Sequence, residues 1–178
     1  KPGRPEVPRR EVYAELFREL APNEDPEALG DELMLLELDV YFRLTTPNPE
    51  ILCFLQACLD AKRVVIATSD TYLSSREIRG LLERHGIQFT GRIYASCEQG
   101  VDKFHGGLYR KLLAEERLQA PRLLHIGDSR MGDVWSAHQE GIKAIHYRSP
   151  GFPTLYPSGD TDPAFRLGFH LGPVFGFF

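Results

Sequence analysis

From about residue 63 to 148 the chain changes character in a fixed rhythm, and that rhythm constrains its fold more than any other feature. A short β-branched run, RVVIATSD with its apolar part over 62–67, is followed by SSREIRGLLERHG. That second stretch is an amphipathic helix closed by Gly86. A second strand follows at about 92–96, then the helix GGLYRKLLAEERL, the strand PRLLHIGD, the helix MGDVWSAHQEGI ending at Gly141, and the strand KAIHYRS. Strands joined by helices predict right-handed βαβ crossovers, and these make a parallel sheet with helices on both faces. The expected fold class is α/β, a three-layer sandwich.

In front of this region the pattern is helical only. RREVYAELFREL places Val12, Leu16, Phe17 and Leu20 at helical spacing, and DELMLLELDVYFRL over 31–44 does the same. TTPNPE opens a third helix, with Pro49 in a first-turn position, which runs to about Lys62. The segmentation is therefore a helical segment over 1–46, an α/β core over 47–149, and a Pro/Gly/Asp linker with an apolar end over 150–178. Both ends read as cut, which predicts contacts with missing N- and C-terminal segments or a fused domain. The formal charge of −4 argues against a general nucleic-acid or membrane-surface binder, and no apolar run approaches the length of a membrane span. The three cysteines, Cys53, Cys58 and Cys97, form no Cys-x-x-Cys pair. They read as reduced thiols of a cytoplasmic protein.

In an open parallel sheet, ligands sit beyond the carboxyl ends of the strands. Thr68-Ser69-Asp70 end the first run, Ser96-Cys97-Glu98 the second with Lys103 in its loop, and Gly127-Asp128-Ser129 the third with Asp133 after it. A hydroxyl and a lysine suit the oxygens of a phosphoryl group. Paired aspartates at one strand tip are expensive unless a cation compensates them, and Mg²⁺ prefers such oxygen ligands. Gly127 is expected to permit a tight turn out of the strand. Simpler roles compete: Asp70 as a helix cap, His125 as a core or edge histidine, Cys97 as a structural thiol, and Tyr109 and Trp135 as packing residues.

These motifs, in this order, resemble the haloacid dehalogenase (HAD) superfamily, whose members are mostly Mg²⁺-dependent phosphatases. The strand-end hydroxyl of the family's second motif matches Ser69 best and Thr68 next, its lysine matches Lys103, and its GDxxxxD motif is met by GDSRMGD with Asp128 and Asp133. The phrases ATSDTYL and GPVFGFF further resemble a subgroup of HAD hydrolases joined to sugar-transferring enzymes. The resemblance implies a Rossmann-like fold in which residues 1–46 are a small helical cap. It also implies Mg²⁺ at Asp128 and Asp133, a phosphoryl group held by Ser69, Thr68, Lys103 and Ser129, and Lys103 and Ser69 as catalytic groups. The substrate would be a small phosphorylated metabolite.

One departure is large. The family's first motif, Asp-x-Asp at the end of the first strand, carries the nucleophile, and no strand end here has it. Asp160-Thr161-Asp162 has the letters but lies in a Pro/Gly loop. The expected function is a phosphohydrolase that needs an upstream Asp-x-Asp strand. The alternative is a catalytically inactive HAD-like module for packing, binding or regulation in a larger protein.

Overall fold

The computed structural model describes residues 7–148. The expected linker, the Asp160–Asp162 letters and the Phe-rich end lie outside the described residues.

Three helices come first: α1 (Arg9–Leu20), α2 (Pro26–Leu44) and α3 (Pro49–Asp60). α1 has the predicted bounds. α2 starts before residue 31, because Asp25 accepts hydrogen bonds from the amides of Glu27 and Ala28 and Pro26 fits the first turn. Asn48 and Pro49 start α3 by the same device. α1 and α2 form a helical hairpin in which Gly30 lets α2 approach Tyr13 and Ala14.

The alternation then unfolds as β1 (Ala67–Ser69), α4 (Ser75–Arg84), β2 (Ile93–Ala95), α5 (Ser96–Gln99), α6 (Gly107–Glu115), β3 (Leu124–Gly127), α7 (Ser136–Gln139) and β4 (Lys143–His146). α4 begins on a reciprocal capping box between Ser74 and Glu77, so Ser74 and not Asp70 caps it. The two faces of β2 carry the layering. Ile93 and Ala95 join a core with Leu73, Ile78, Leu81 and Leu82, whereas Tyr94 packs with Leu108 and Leu112 of α6. Period-2 alternation thus places helices on both sides, as the sequence predicts.

The sheet itself departs from expectation. Both ladders are parallel, β1 with β2 and β3 with β4, but among the described residues they do not join into one sheet. β1 and β3 therefore each pair along one edge only, although Thr68, His125, Ile126 and Gly127 are all buried. The predicted strand over 62–67 is displaced for the same reason. Only Ala67–Ser69 find a partner in β2, while Val64 is 86% exposed. Residues 63–66 of the β-branched run have no ladder partner among the described residues. The helix expected over MGDVWSAHQEGI is also broken. A π-helical turn at Arg130–Trp135 precedes α7, with the Val134 amide bonding back to the Ser129 carbonyl.

Candidate active site

β1 and β3 end close to a common centre, Lys103, which sits in the loop between α5 and α6 and is 7% exposed. Its backbone amide donates to Asp70 Oδ1 at 2.8 Å, just past β1. Its ammonium donates to Asp133 Oδ1 at 2.5 Å, just past β3. One residue thus ties the ends of the two strand pairs together.

Asp133 is held by three partners. It is 2% exposed, and both oxygens are occupied. Oδ1 accepts from Lys103 and lies 3.1 Å from His125 Nε2, while Oδ2 accepts from the Ser129 amide at 2.9 Å. Burial alone would raise the carboxyl pKa. The His125 hydrogen bond and the Lys103 charge outweigh it and hold Asp133 well below the usual carboxylate range. Burial acts on His125 in the opposite sense to its carboxylate neighbour and wins, so the ring pKa is lowered. Facing a carboxylate, His125 Nε2 is the donor of their contact, and the Lys103 ammonium supplies the charge opposite Asp133.

Gly127 has a reason that differs from the predicted turn. A β-carbon there would lie 2.3 Å from Asp133 Cγ and 2.4 Å from Oδ2. The glycine exists because the carboxylate is seated directly against the strand backbone. Tyr109 closes the cluster from α6. Its hydroxyl donates to the Gly132 carbonyl at 2.9 Å and its ring meets His125 edge to face, with centroids 5.2 Å apart. Burial, then the charges of Asp133 and Asp70, push the phenol pKa upward.

The predicted residues divide into two sets. Lys103, Asp133 and Ser129 are brought together, Ser129 by its amide and by its hydroxyl, which accepts from the Gly132 amide at 3.0 Å. Asp128 is exposed beside them at the β3 tip, with its carbonyl 2.9 Å from His146 Nε2. Thr68 and Ser69 end β1 with opposite environments. Thr68 is 3% exposed and its hydroxyl has no partner among the described residues, whereas Ser69 is partly open. A buried unpartnered hydroxyl at a strand end is costly unless a ligand or another segment completes it. Among the described residues, no group of three or more His, Cys, Asp or Glu side chains could hold a metal ion by itself.

Three participants escape a sequence reading. His125 reads as core, yet it shares a strand face with Gly127, two residues on, and so points to Asp133. Asp70 reads as a helix cap but anchors the lysine loop. Tyr109 reads as packing and also bonds the β3 loop. Cys97 behaves as the structural thiol it was expected to be, buried and donating to the Leu73 carbonyl.

No protein-family profile matches the sequence, and no curated protein does. Solved structures do. A 2-haloacid dehalogenase from Pseudomonas syringae pv. Tomato DC3000 superposes with a TM-score of 0.63 at 21% identity, over 87% of this chain and 63% of that one. A dehalogenase solved with an intermediate complex superposes with a TM-score of 0.56 at 15% identity, over 81% of this chain and 60% of that one. This chain therefore spans less than two thirds of the length of either. At such identities the likeness speaks for architecture, and the architecture is clear: this chain has the α/β fold of the haloacid dehalogenase-like hydrolases.

Proposed function

We propose that this chain supplies most of a phosphohydrolase that acts on a small phosphorylated metabolite. The single observation that carries the reading is the convergence of β1 and β3 on Lys103, each strand with one edge unpaired among the described residues. A parallel strand between them would end at the same centre. If that strand carries Asp-x-Asp, its first carboxylate attacks phosphorus and the second protonates the leaving oxygen. Water then cleaves the aspartyl phosphate to give inorganic phosphate.

The residues here take defined parts in that reading. Lys103 neutralises charge building on the phosphoryl oxygens, and the hydroxyls of Thr68 and Ser69 donate to them. Of the two, Thr68 has the better-placed need, since its hydroxyl is buried and without a partner among the described residues. Ser129 positions the tip of β3. Mg²⁺ fits the donor set through Asp128, because this ion keeps most of its waters and ordinarily takes one or two protein carboxylates. When bound it would offset negative charge on the phosphoryl group. Asp133, with three donors already on it, supports the Asp128 loop and holds Lys103 in place.

The test uses the parent protein carrying an Asp-x-Asp strand. Asp128→Asn should remove most Mg²⁺-dependent phosphate release from an aryl phosphate, and undiminished release would overturn the role of Asp128. Halide release from a 2-haloacid, with no phosphate release, would overturn the reaction class itself. The second reading, an inactive module for packing or binding, follows if the parent sequence holds no such strand.

A further inference from the structure

Asp70 stands at the exit of β1 as an exposed carboxylate that caps no helix, since Ser74 caps α4. Its Oδ1 accepts the backbone amide of Lys103 at 2.8 Å, across 33 positions of sequence. A carboxylate so near a lysine that grips phosphoryl oxygens opposes an anionic ligand by its charge. Its use therefore lies in what it holds.

The turn that carries Asp70 is itself fixed. The Thr71 amide donates to Ser96 Oγ at 2.8 Å, and the Cys97 amide donates to the Thr71 carbonyl at 3.3 Å, so the turn rests on the end of β2. Tyr72 donates to Glu37 of α2 at 2.8 Å. The lysine loop has its own ties on the other side. The Phe104 carbonyl accepts from Ser136 of α7 at 2.7 Å, and the Leu108 amide of α6 donates to the Asp102 carbonyl at 2.8 Å. Those bonds fasten the loop to α6 and α7, and Asp70 fastens it to β1. An ammonium on a flexible four-carbon stem is only as well placed as the backbone that carries it.

We propose that Asp70 is the positioning residue for Lys103. By holding the Lys103 amide at the β1 exit, it fixes the backbone from which the buried ammonium reaches Asp133. The catalytic consequence rests on the phosphohydrolase reading, whereas the placement of the lysine rests on geometry alone. The role needs an acceptor oxygen and not a negative charge, so asparagine can fill it and alanine cannot.

Two measurements test this. On the 178-residue chain, heteronuclear NMR of the lysine ammonium groups reads whether Lys103 is held, because only bonded ammonium protons shielded from water exchange slowly enough to be seen. The wild-type chain should show a Lys103 signal, identified by its loss in Lys103→Arg. Asp70→Ala should lose that signal with unchanged circular dichroism, and Asp70→Asn should keep it. In the parent protein carrying an Asp-x-Asp strand, Asp70→Ala should lower kcat for phosphate release from an aryl phosphate about 10- to 100-fold, with kcat/KM falling in parallel. Asp70→Asn should restore most of the loss. A role confined to stability would lower the melting temperature and move neither readout. The proposal is overturned if the wild-type chain gives no Lys103 signal, if Asp70→Ala keeps it, or if Asp70→Asn loses it as fully as Asp70→Ala. It is also overturned if Asp70→Ala loses the signal and keeps its kcat. A parent protein that releases no phosphate, while the NMR contrast holds, overturns the phosphohydrolase reading and supports the placement of Lys103 by Asp70.

Discussion

The α/β core and the α1–α2 hairpin bury opposite kinds of residue. In the core, leucine and isoleucine fill the interior, and charge enters only at the strand tips, where Asp133 is fully partnered. In the hairpin, Arg9 is 3% exposed while Leu36 and Leu44 face outward. Arg9 reaches Glu37 of α2 at 2.6 Å and also bonds Glu77 of α4. Tyr13 and Tyr72 donate to the same Glu37 carboxylate, and Tyr41 bonds Tyr72 at 2.7 Å. The hairpin is thus fastened to the core by a polar network beside the apolar contacts of Leu38, Tyr41 and Phe42. Such a network fixes orientation more than it adds stability, since its charges pay for desolvation. The difference teaches that the core buries its apolar residues against one another, whereas the hairpin buries a charge and leaves leucines exposed.

The contrast can be broken most forcefully at Asp133. Asp133→Leu would leave the Lys103 ammonium buried without its partner, and chemical denaturation should register a loss of about 3–5 kcal/mol. Gly127→Ala should follow, because the new methyl must displace the Asp133 carboxylate. Overpacking of that kind costs about 1–3 kcal/mol, measured in the same way. In the hairpin, Arg9→Met should cost less, about 1–2 kcal/mol, since Glu37 and Glu77 keep about a fifth of their side-chain surface in water. Limited proteolysis should then cut first in the segment joining α1 to α2.

Smaller still is the acid response of His125. Its folded pKa lies below the ordinary histidine value, so the unfolded chain takes up a proton that the folded chain refuses. Its contribution to stability is complete above about pH 6.5, and it declines as pH falls below that value with a slope of at most ~1.4 kcal/mol per pH unit. Asp133, with its depressed pKa, adds a second loss that begins only below about pH 4. Melting temperature recorded from pH 7.5 to 4.5 should fall, and His125→Asn should flatten the upper part of that fall.

Much of the architecture is legible because it is periodic. The bounds of α1, the Asn48-Pro49 helix start and the parallel sense of the ladders all follow from local pattern and chain order. The extent of β1 does not, because a strand needs a partner and Val64 has none among the described residues, however β-branched its neighbourhood. At the site, GDSRMGD and Lys103 announce themselves by type and order. His125 and Asp70 do not, since their roles depend on which distant loop arrives beside them. Asp70 meets Lys103 across 33 positions and His125 meets Asp133 across the π-helical turn. Gly127 was legible as a requirement but not for its cause, which is a carboxylate that only the folded chain brings near.

The division of the sheet into two ladders also bears on how the chain folds. Ala67 meets Ile93 through a single helical crossover, and Leu124 meets Lys143 through another. Each ladder closes over a modest stretch of chain, so neither waits for a distant strand to arrive. What joins the two ladders is the Lys103 loop, which reaches both Asp70 and Asp133. Substitutions that weaken this clasp should hasten unfolding and leave the early steps of refolding almost untouched.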